Sequence, residues 1–502
     1  MFHHIKVYIG VALLSLLTMS FPLGAQEENT ILLITPSGQL RLNLPDTWIS
    51  KAFANDILLA ASDIEAVYST TPEQLMGNAV VVIFGPSYPE FEQLDVTDDD
   101  MLQSALETII HLSSSEIDIE PIETSQYVFG DYPAIGMQLN DEHVDTLFIA
   151  IDVGIPIVIQ AATDSGEMAE FEAVFMMIAE SIHYEAPSLQ NVRDTETISV
   201  ANISRITNLQ TLDGHEDSLL ELQYSANGQY LVSGGGDGQL IIWDVTTGES
   251  HLILGTEHML SDVAINPSVE VLAYSDGGEV YVFDVSDTSS PLFSSRSFSR
   301  VTFSPDGTVI AIGGVYGGQI ISNDGSFRII RTFGEETFDI QALAFSPDGL
   351  RLAGFSFDLD ADIYIWDAIS GEQLDHMAVH TSFIDDLRFS PDGTLLASAS
   401  WDGTARVWNT ISGEELFVFQ SIQQPGYMAL LSVAFSADGQ LLAIGSSEDI
   451  VRIIDLSNGE IIAVIQCVDD VNSLDFSPDG KQLAIDSGNG PIQIWGVYRE
   501  EP

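Results

Sequence analysis

Seven times between Tyr224 and Gly480 the chain repeats an apolar run followed by a tight turn whose fullest form is Phe-Ser-Pro-Asp-Gly. The turns open at Tyr224, Ile265, Phe303, Phe345, Phe389, Phe435 and Phe476, in steps of 41, 38, 42, 44, 46 and 41 residues. Pro presets the backbone at the second turn position and Gly takes the positive φ, so Pro-Asp-Gly reverses the chain for a stated steric reason. Each turn leads into another apolar run, such as Leu395-Leu396-Ala397-Ser398, then a second turn and a run closing on Trp243-Asp244, Trp366-Asp367, Trp408-Asn409 or Trp495. A period near 40 that reads strand, turn, strand, turn is one propeller blade per repeat. The expected fold of the C-terminal three-fifths is therefore an all-β, seven-bladed β-propeller.

Further motifs sharpen this. Gly214-His215, Ser233 to Asp237 followed by Trp243-Asp244, and the set His380, Ser398, Asp402 and Trp408 resemble the WD40 repeat, over about residues 203–498. The resemblance implies that His215, Asp237 and Trp243 in the first blade, Asp360 and Trp366 in the fourth, His380, Ser398, Asp402 and Trp408 in the fifth, and Trp495 in the last are structural, since His, Asp, Ser/Thr and Trp form a buried hydrogen-bonded set in that family. Departures mark blades held by apolar packing: Gly277, Tyr316, Glu448 and Asn489 replace the acid, and Phe283, Ser322 and Ile454 stand in the Trp position. No fourth strand is left after Trp495, so residues 203–212 are expected to supply it and close the ring, which removes an exposed sheet edge.

The preceding sequence has a different grammar. Residues 1–25 read as a secretory signal: His3, His4 and Lys6, an apolar run from Val7 to Leu17, and Leu23-Gly24-Ala25 at the cleavage point. The run is short for a membrane span, so no stable span is expected after cleavage and the mature chain is expected to be exported. Residues 30–185 read as a small α/β domain, with strands at 31–34, 40–44, 79–84, 144–151 and 155–161. Helices are expected at 101–112, capped by Asp98-Asp99-Asp100, and at 167–183, where Phe171, Val174, Phe175, Ile178 and Ile182 share a face. With the Leu44-Pro45-Asp46-Thr47-Trp48 corner, this order resembles the Mog1/PsbP-like α/β/α sandwich, whose members are mostly binding or accessory modules. Residues 186–201 read as a linker, and 202–498 as the propeller.

The chain carries 75 acidic residues against 15 basic, a formal charge of −60. Both halves share the bias, with 31 acids and 3 bases in 26–200 and 44 and 11 in 201–502, so it is a property of the whole surface. With Lys6, Lys51 and Lys481 as the only lysines, a saline setting that screens self-repulsion is expected. Nucleic acid is disfavoured as a partner because basic stripes are missing. Cys467 is the single cysteine, so no internal disulfide can form, and its expected place is a core strand of the last blade.

Chemistry-bearing motifs are scarce. Asp164-Ser165-Gly166 reads as a helix cap, and Gly234 to Gly238 lies between strands, where it cannot cradle phosphate at a helix start. Asp358-Leu-Asp360-Ala-Asp362 has oxygen spacing suited to calcium but lacks the Gly and distal Glu of a calcium loop. Asp95, Asp98, Asp99 and Asp100 read as a solvated loop and cap, so no metal or cofactor is expected. Asp385, Asp386, Asp469 and Asp470 can approach the central channel, but without a partner His they read as surface charge. What remains is binding. The resemblance places the residue before the structural acid on the face where partners dock. In the fifth blade that residue is Trp401, and Phe383, Tyr427 and Phe338 lie on loops expected at the same face. The expected function is an exported, non-enzymatic scaffold holding protein partners. The alternative is a ligand-binding or sensor protein whose N-terminal domain holds a small molecule.

Overall fold

The chain divides into two compact units, residues 1–188 and 189–502. The computed structural model describes 195–499, apart from 257, 336–338, 357–361, 379, 422–428, 487 and 489–490, together with the strands and helix of the first unit named below. Residues 1–29, the expected helix at 101–112, Tyr427, Phe338 and Asp360 lie outside the described residues.

In the first unit, Thr30–Ile34 and Leu40–Pro45 pair antiparallel, and His183–Tyr184 joins the second of them. A seven-stranded antiparallel sheet runs in the order Ile49–Phe53, Ile57–Ala61, Val80–Phe84, Pro156–Asp164, Val144–Asp152, Tyr132–Asn140, Ser125–Phe129. The helix Met168–Ser181 buries Phe175 and Ile178, with Ile182 just past its end, as their spacing predicts. Ser181 ties it to the hairpin by accepting the amide of Asn43 at 2.8 Å through Oγ. Among the described residues no helix is long and apolar enough to cross a membrane.

The second unit is a ring of seven four-stranded antiparallel blades. Blade 1 is Leu219–Tyr224, Tyr230–Gly235, Gln239–Asp244 and Ser250–Gly255. The first strand of each blade is innermost. In blades 2 to 7 these are Leu260–Ile265, Phe298–Phe303, Ile340–Phe345, Ile384–Phe389, Leu430–Phe435 and Leu474–Phe476, and each neighbours the next until the seventh returns to the first. The ring closes where Thr207–Leu212 pairs with Ile492–Tyr498, from Thr207 opposite Gly496 to Leu212 opposite Ile492. The expected closing strand is thus in place, although Ile203–Arg205 forms a 3-10 turn instead of joining it.

The repeated turn is held by its own side chains. In blade 5 the Ser390 hydroxyl donates to Asp392 at 2.7 Å and accepts the Leu395 amide at 2.9 Å, while Asp392 accepts the Thr394 amide at 2.9 Å. Gly393 closes the turn at φ +72°. Blade 2 puts Val269 in that place at φ 63°, a conformation a β-branched residue resists.

Two blades carry complete polar staples. In blade 1 the Trp243 indole N–H donates to Ser233 Oγ at 2.8 Å, Ser233 lies 2.8 Å from His215 Nε2, and His215 Nδ1 lies 3.1 Å from Asp237. One proton arrangement satisfies all of these: indole to Ser, Ser to His, His to carboxylate. Blade 5 repeats it with Trp408, Ser398, His380 and Asp402 at 3.4, 2.8 and 2.9 Å. Blade 6 substitutes a buried pair, Glu448 with Arg452, and Glu448 also accepts from Ser421 Oγ at 2.6 Å. In blade 7 the Trp495 indole donates to Gln493 at 3.0 Å. In blade 3 the strand register corrects the alignment: Ile310 pairs with Ile321, so the buried residue in the Trp position is Ile321 and not Ser322. The cause is a two-residue turn, Val315-Tyr316, which shortens that repeat by one. Cys467 is buried in the connection that follows the outer strand of blade 6, before blade 7 begins.

Candidate partner-binding site

An innermost strand has a blade partner on one side only, so its other edge presents unpaired amides and carbonyls to the channel. Side chains from the preceding blade take them up. Asp262 accepts the Val301 amide at 2.8 Å, Asp386 the Val433 amide at 3.1 Å, Asp475 the Tyr224 amide at 2.8 Å, and Gln223 the Ile265 amide at 3.1 Å. Arg300 works in the opposite sense, donating to the carbonyls of Gln341, Ser261 and Ser299. These links stitch blade to blade around the axis.

They also leave charge in a confined space. A cavity of about 420 Å³ occupies the channel, walled by Glu221, Asp262, Arg300, Asp385, Asp386 and Arg388, with Trp401 on its lining. Arg388 donates to Glu221 at 3.1 Å and stands 3.3 Å from Asp386. Burial pushes the Glu221 carboxyl up to about 8, with Arg388 opposing, and raises Asp262 and Asp475 to about 6 each. Asp385 is raised by burial, opposed by the indole N–H it accepts from Trp401. Burial alone would lower Arg388, yet Asp386 and Glu221 hold its guanidinium firmly charged.

Asp385 and Asp386 are therefore not the surface charge that their sequence context indicated. Both line the channel, because adjacent residues at the start of an innermost strand can both reach its interior. Asp469 and Asp470 gather instead beside Asp449, with carboxylate oxygens within 4.8 Å of one another, and do not line the cavity.

Strand order places Trp401 and Phe383 at one end of the ring. Trp401 is in the turn between the second and third strands of blade 5, Phe383 immediately precedes the innermost strand, and the Trp401 amide donates to the Phe383 carbonyl at 2.9 Å. Their rings meet edge to face at 6.2 Å and 65°, and Phe383 meets the buried Phe355 at 6.4 Å and 71°. Trp401 remains 53% exposed and Phe383 41%. Trp401 is thus braced from below by Phe383 and Asp385, and offers its remaining surface to solvent at the cavity mouth. Met259, Val315, Tyr316 and Val468 are exposed apolar residues in corresponding loops of the same end. Of the four residues expected to form the interface, the structure brings Trp401 and Phe383 together, while Tyr427 and Phe338 lie outside the described residues.

Segments of the chain match models of known families. Residues 206–244, 327–367 and 371–409 match the WD domain, G-beta repeat, and 418–472 match the anaphase-promoting complex subunit 4 WD40 domain. Similar curated proteins include a periodic tryptophan protein 2 homolog of Dictyostelium discoideum, 28% identical over 206 residues, covering 40% of this chain and 18% of that protein. A guanine nucleotide-binding protein subunit beta of Arabidopsis thaliana is 26% identical over 231 residues, covering 39% of this chain and 58% of its own. WD repeat-containing protein 1 of Xenopus tropicalis is 26% identical over 249 residues, covering 45% and 39%. The chain spans less than two thirds of the length of each of these relatives. The three segments that match the WD domain, G-beta repeat, begin on the outer strand of one blade and run through three strands of the next, the same offset that closes the ring. The second unit is a seven-bladed β-propeller carrying WD40 repeats.

Proposed function

We propose that this protein is an exported, non-enzymatic scaffold that docks protein partners on the end of the propeller bearing Trp401. The observation that carries this is the braced, half-exposed Trp401 at the cavity mouth, with exposed apolar residues in neighbouring loops of the same end. A large aromatic held in one orientation loses little entropy on docking and contributes more interface energy than most residues. A similar protein, the guanine nucleotide-binding protein subunit beta, and a matched family, the anaphase-promoting complex subunit 4 WD40 domain, are by name parts of assemblies. Export rests on the basic start, apolar run and small-residue cleavage point of residues 1–25. Residues 30–185 are proposed as a second binding module of the α/β/α type. The ligand-binding alternative requires an apolar pocket there, whereas the cavity that supports the present reading lies in the propeller.

A non-enzymatic role accounts for the channel acids. Asp262, Asp386 and Asp475 accept backbone amides of the next blade and Glu221 accepts from Arg388, so each has a structural task, and among the described residues no histidine or cysteine lines the cavity to activate Ser261, Ser299 or Thr302 or to act as a nucleophile itself. The test is affinity capture from envelope and culture-supernatant extracts with parent protein, Trp401→Ala, and Ile411→Ala, which alters an exposed residue at the opposite end of blade 5. A partner retained by the parent and by Ile411→Ala but lost by Trp401→Ala supports this docking end. Equal capture by all three refutes it.

A further inference from the structure

The cavity behind Trp401 has an imbalance of hydrogen-bonding groups. Its wall carries four carboxylates, Glu221, Asp262, Asp385 and Asp386, against two guanidiniums, Arg300 and Arg388. Both guanidiniums are engaged: Arg388 with Glu221 and Asp386, Arg300 with three carbonyls. The carboxylates are not all matched. Asp385 receives the Trp401 indole on one oxygen, Asp262 receives Val301 on one, and Glu221 receives Arg388 and Ser473 on the same oxygen. Asp385 and Glu221 each keep a second oxygen with no hydrogen-bond donor from the described residues, while Asp262 is also approached by the Val263 amide. The site thus holds surplus acceptors and surplus negative charge, which excludes an anionic ligand and favours a cation rich in N–H donors. A bare metal ion is a poor match, because among the described residues the channel acids do not bring three oxygens within 4.8 Å of one another.

We propose that the channel mouth is a socket for an arginine side chain of the docked partner, its guanidinium stacking on Trp401 and donating to the second oxygens of Asp385 and Glu221, with Asp262 adding negative charge. This rests on the scaffold reading above and adds the chemistry of the partner. A guanidinium presents five donors in a plane, so it can reach acceptors that are spread apart, and its face stacks on indole, whereas a lysine ammonium offers one compact centre. The formal net charge of −60 draws a basic segment toward the acidic mouth. Entry of the cation also holds Glu221 ionised, so the proton that burial leaves on it near neutral pH departs as the arginine arrives.

The test is calorimetric titration of the full chain with acetyl-Gly-Arg-Gly-amide, beside peptides carrying lysine or the neutral isostere citrulline, at low salt and in two buffers of different ionisation enthalpy. Saturable arginine binding is expected, with citrulline weaker by about tenfold or more. Asp385→Asn should weaken it comparably, Ile411→Ala should leave it unchanged, and the binding enthalpy should shift between buffers as proton release requires. Should Asp385→Asn fail to fold, as read by its unfolding midpoint, Glu221→Gln takes its place, with loss of the buffer dependence as readout. Equal affinity for arginine and citrulline, absence of saturable binding to either, or full affinity in a folded Asp385→Asn overturns the proposal. Loss of a captured protein partner in Trp401→Ala without arginine-peptide binding would leave the scaffold reading standing and remove the socket. Arginine-peptide binding with no Trp401-dependent partner would do the reverse.

Discussion

Replacing Glu221 with Gln should abolish a dependence of stability on pH that few carboxylates produce. Burial holds the Glu221 carboxyl at about 8, against 4.5 for the free side chain. The folded ring therefore grips this proton more tightly than the unfolded chain does. The associated stability is complete below about pH 4.5 and is lost as the pH climbs toward 8. At about 1.4 kcal/mol per pH unit, the interval from 4.5 to about 8 sets a ceiling on the order of 5 kcal/mol. A quarter of the side chain meets channel water and Arg388 stabilises the ion, so the expected loss is about 1–3 kcal/mol. Asp262 and Asp475, raised to about 6, release their share at lower pH, which leaves the interval from pH 6 to 8 to Glu221. Urea unfolding at these two pH values and constant ionic strength, on parent and Glu221→Gln, isolates the effect, since the histidines titrate alike in both. The variant should already be the more stable at pH 6, where the unfolded parent is ionised, and by a wider margin at pH 8; the two approach equality only below about pH 4.5, where the protonated acid and the amide are near isosteres. Parallel slopes, or an equal destabilisation by Gln at both pH values, would refute the reasoning.

Ser233→Ala leaves the buried Trp243 indole without an acceptor and His215 without a donor, and should cost about 2–4 kcal/mol in urea unfolding; Ser398→Ala should cost less, because the Trp408 bond is longer at 3.4 Å. Leu212→Ala, in the closing strand and packed with Trp243 and Ile492, should lower stability by about 2–5 kcal/mol, and a change below about 1 kcal/mol would mean that the strand does not lock the ring. Cys467 is buried and its thiol is pushed far up by burial, so a thiol reagent should be inert toward the native protein and react once per chain after unfolding. The thermal midpoint should rise in molar potassium chloride relative to dilute buffer, as screening relieves repulsion among 75 acids, and an unchanged midpoint would exclude adaptation to salt.

Blade number and ring closure were legible because they depend on short-range signals: Pro-Asp-Gly turns at a regular period and a missing fourth strand after Trp495. The channel was not, because its members sit a full repeat apart and none carries a motif. Glu221, Asp262, Arg300 and Asp386 each stand three residues before the first residue of their repeated turn. Aligning the repeats on that turn and reading down this one column would have exposed a run of charged residues on innermost strands, where a core residue is otherwise expected. Ser322 was misplaced for a related reason, since a one-residue contraction in the Val315-Tyr316 turn is invisible until the strand register is known. In the first unit, the strands Ile49–Phe53, Ile57–Ala61, Ser125–Phe129 and Tyr132–Asn140 were not legible because they lack sharp alternation, even though Asn55-Asp56 and Gly130-Asp131 punctuate them.

Ring closure also sets a schedule for biosynthesis. Thr207 leaves the ribosome roughly 290 residues before Gly496, its partner across the last blade. At the usual 5–20 residues per second that is roughly 15–60 s during which the strand carrying Leu209 and Leu212 has no mate. Six blades can stack in that interval, but the nascent arc carries one unsatisfied edge at each extremity until the final strand arrives. The slowest event in maturation should therefore be a single long-range docking step, with strand exchange between neighbouring nascent chains as its competing outcome.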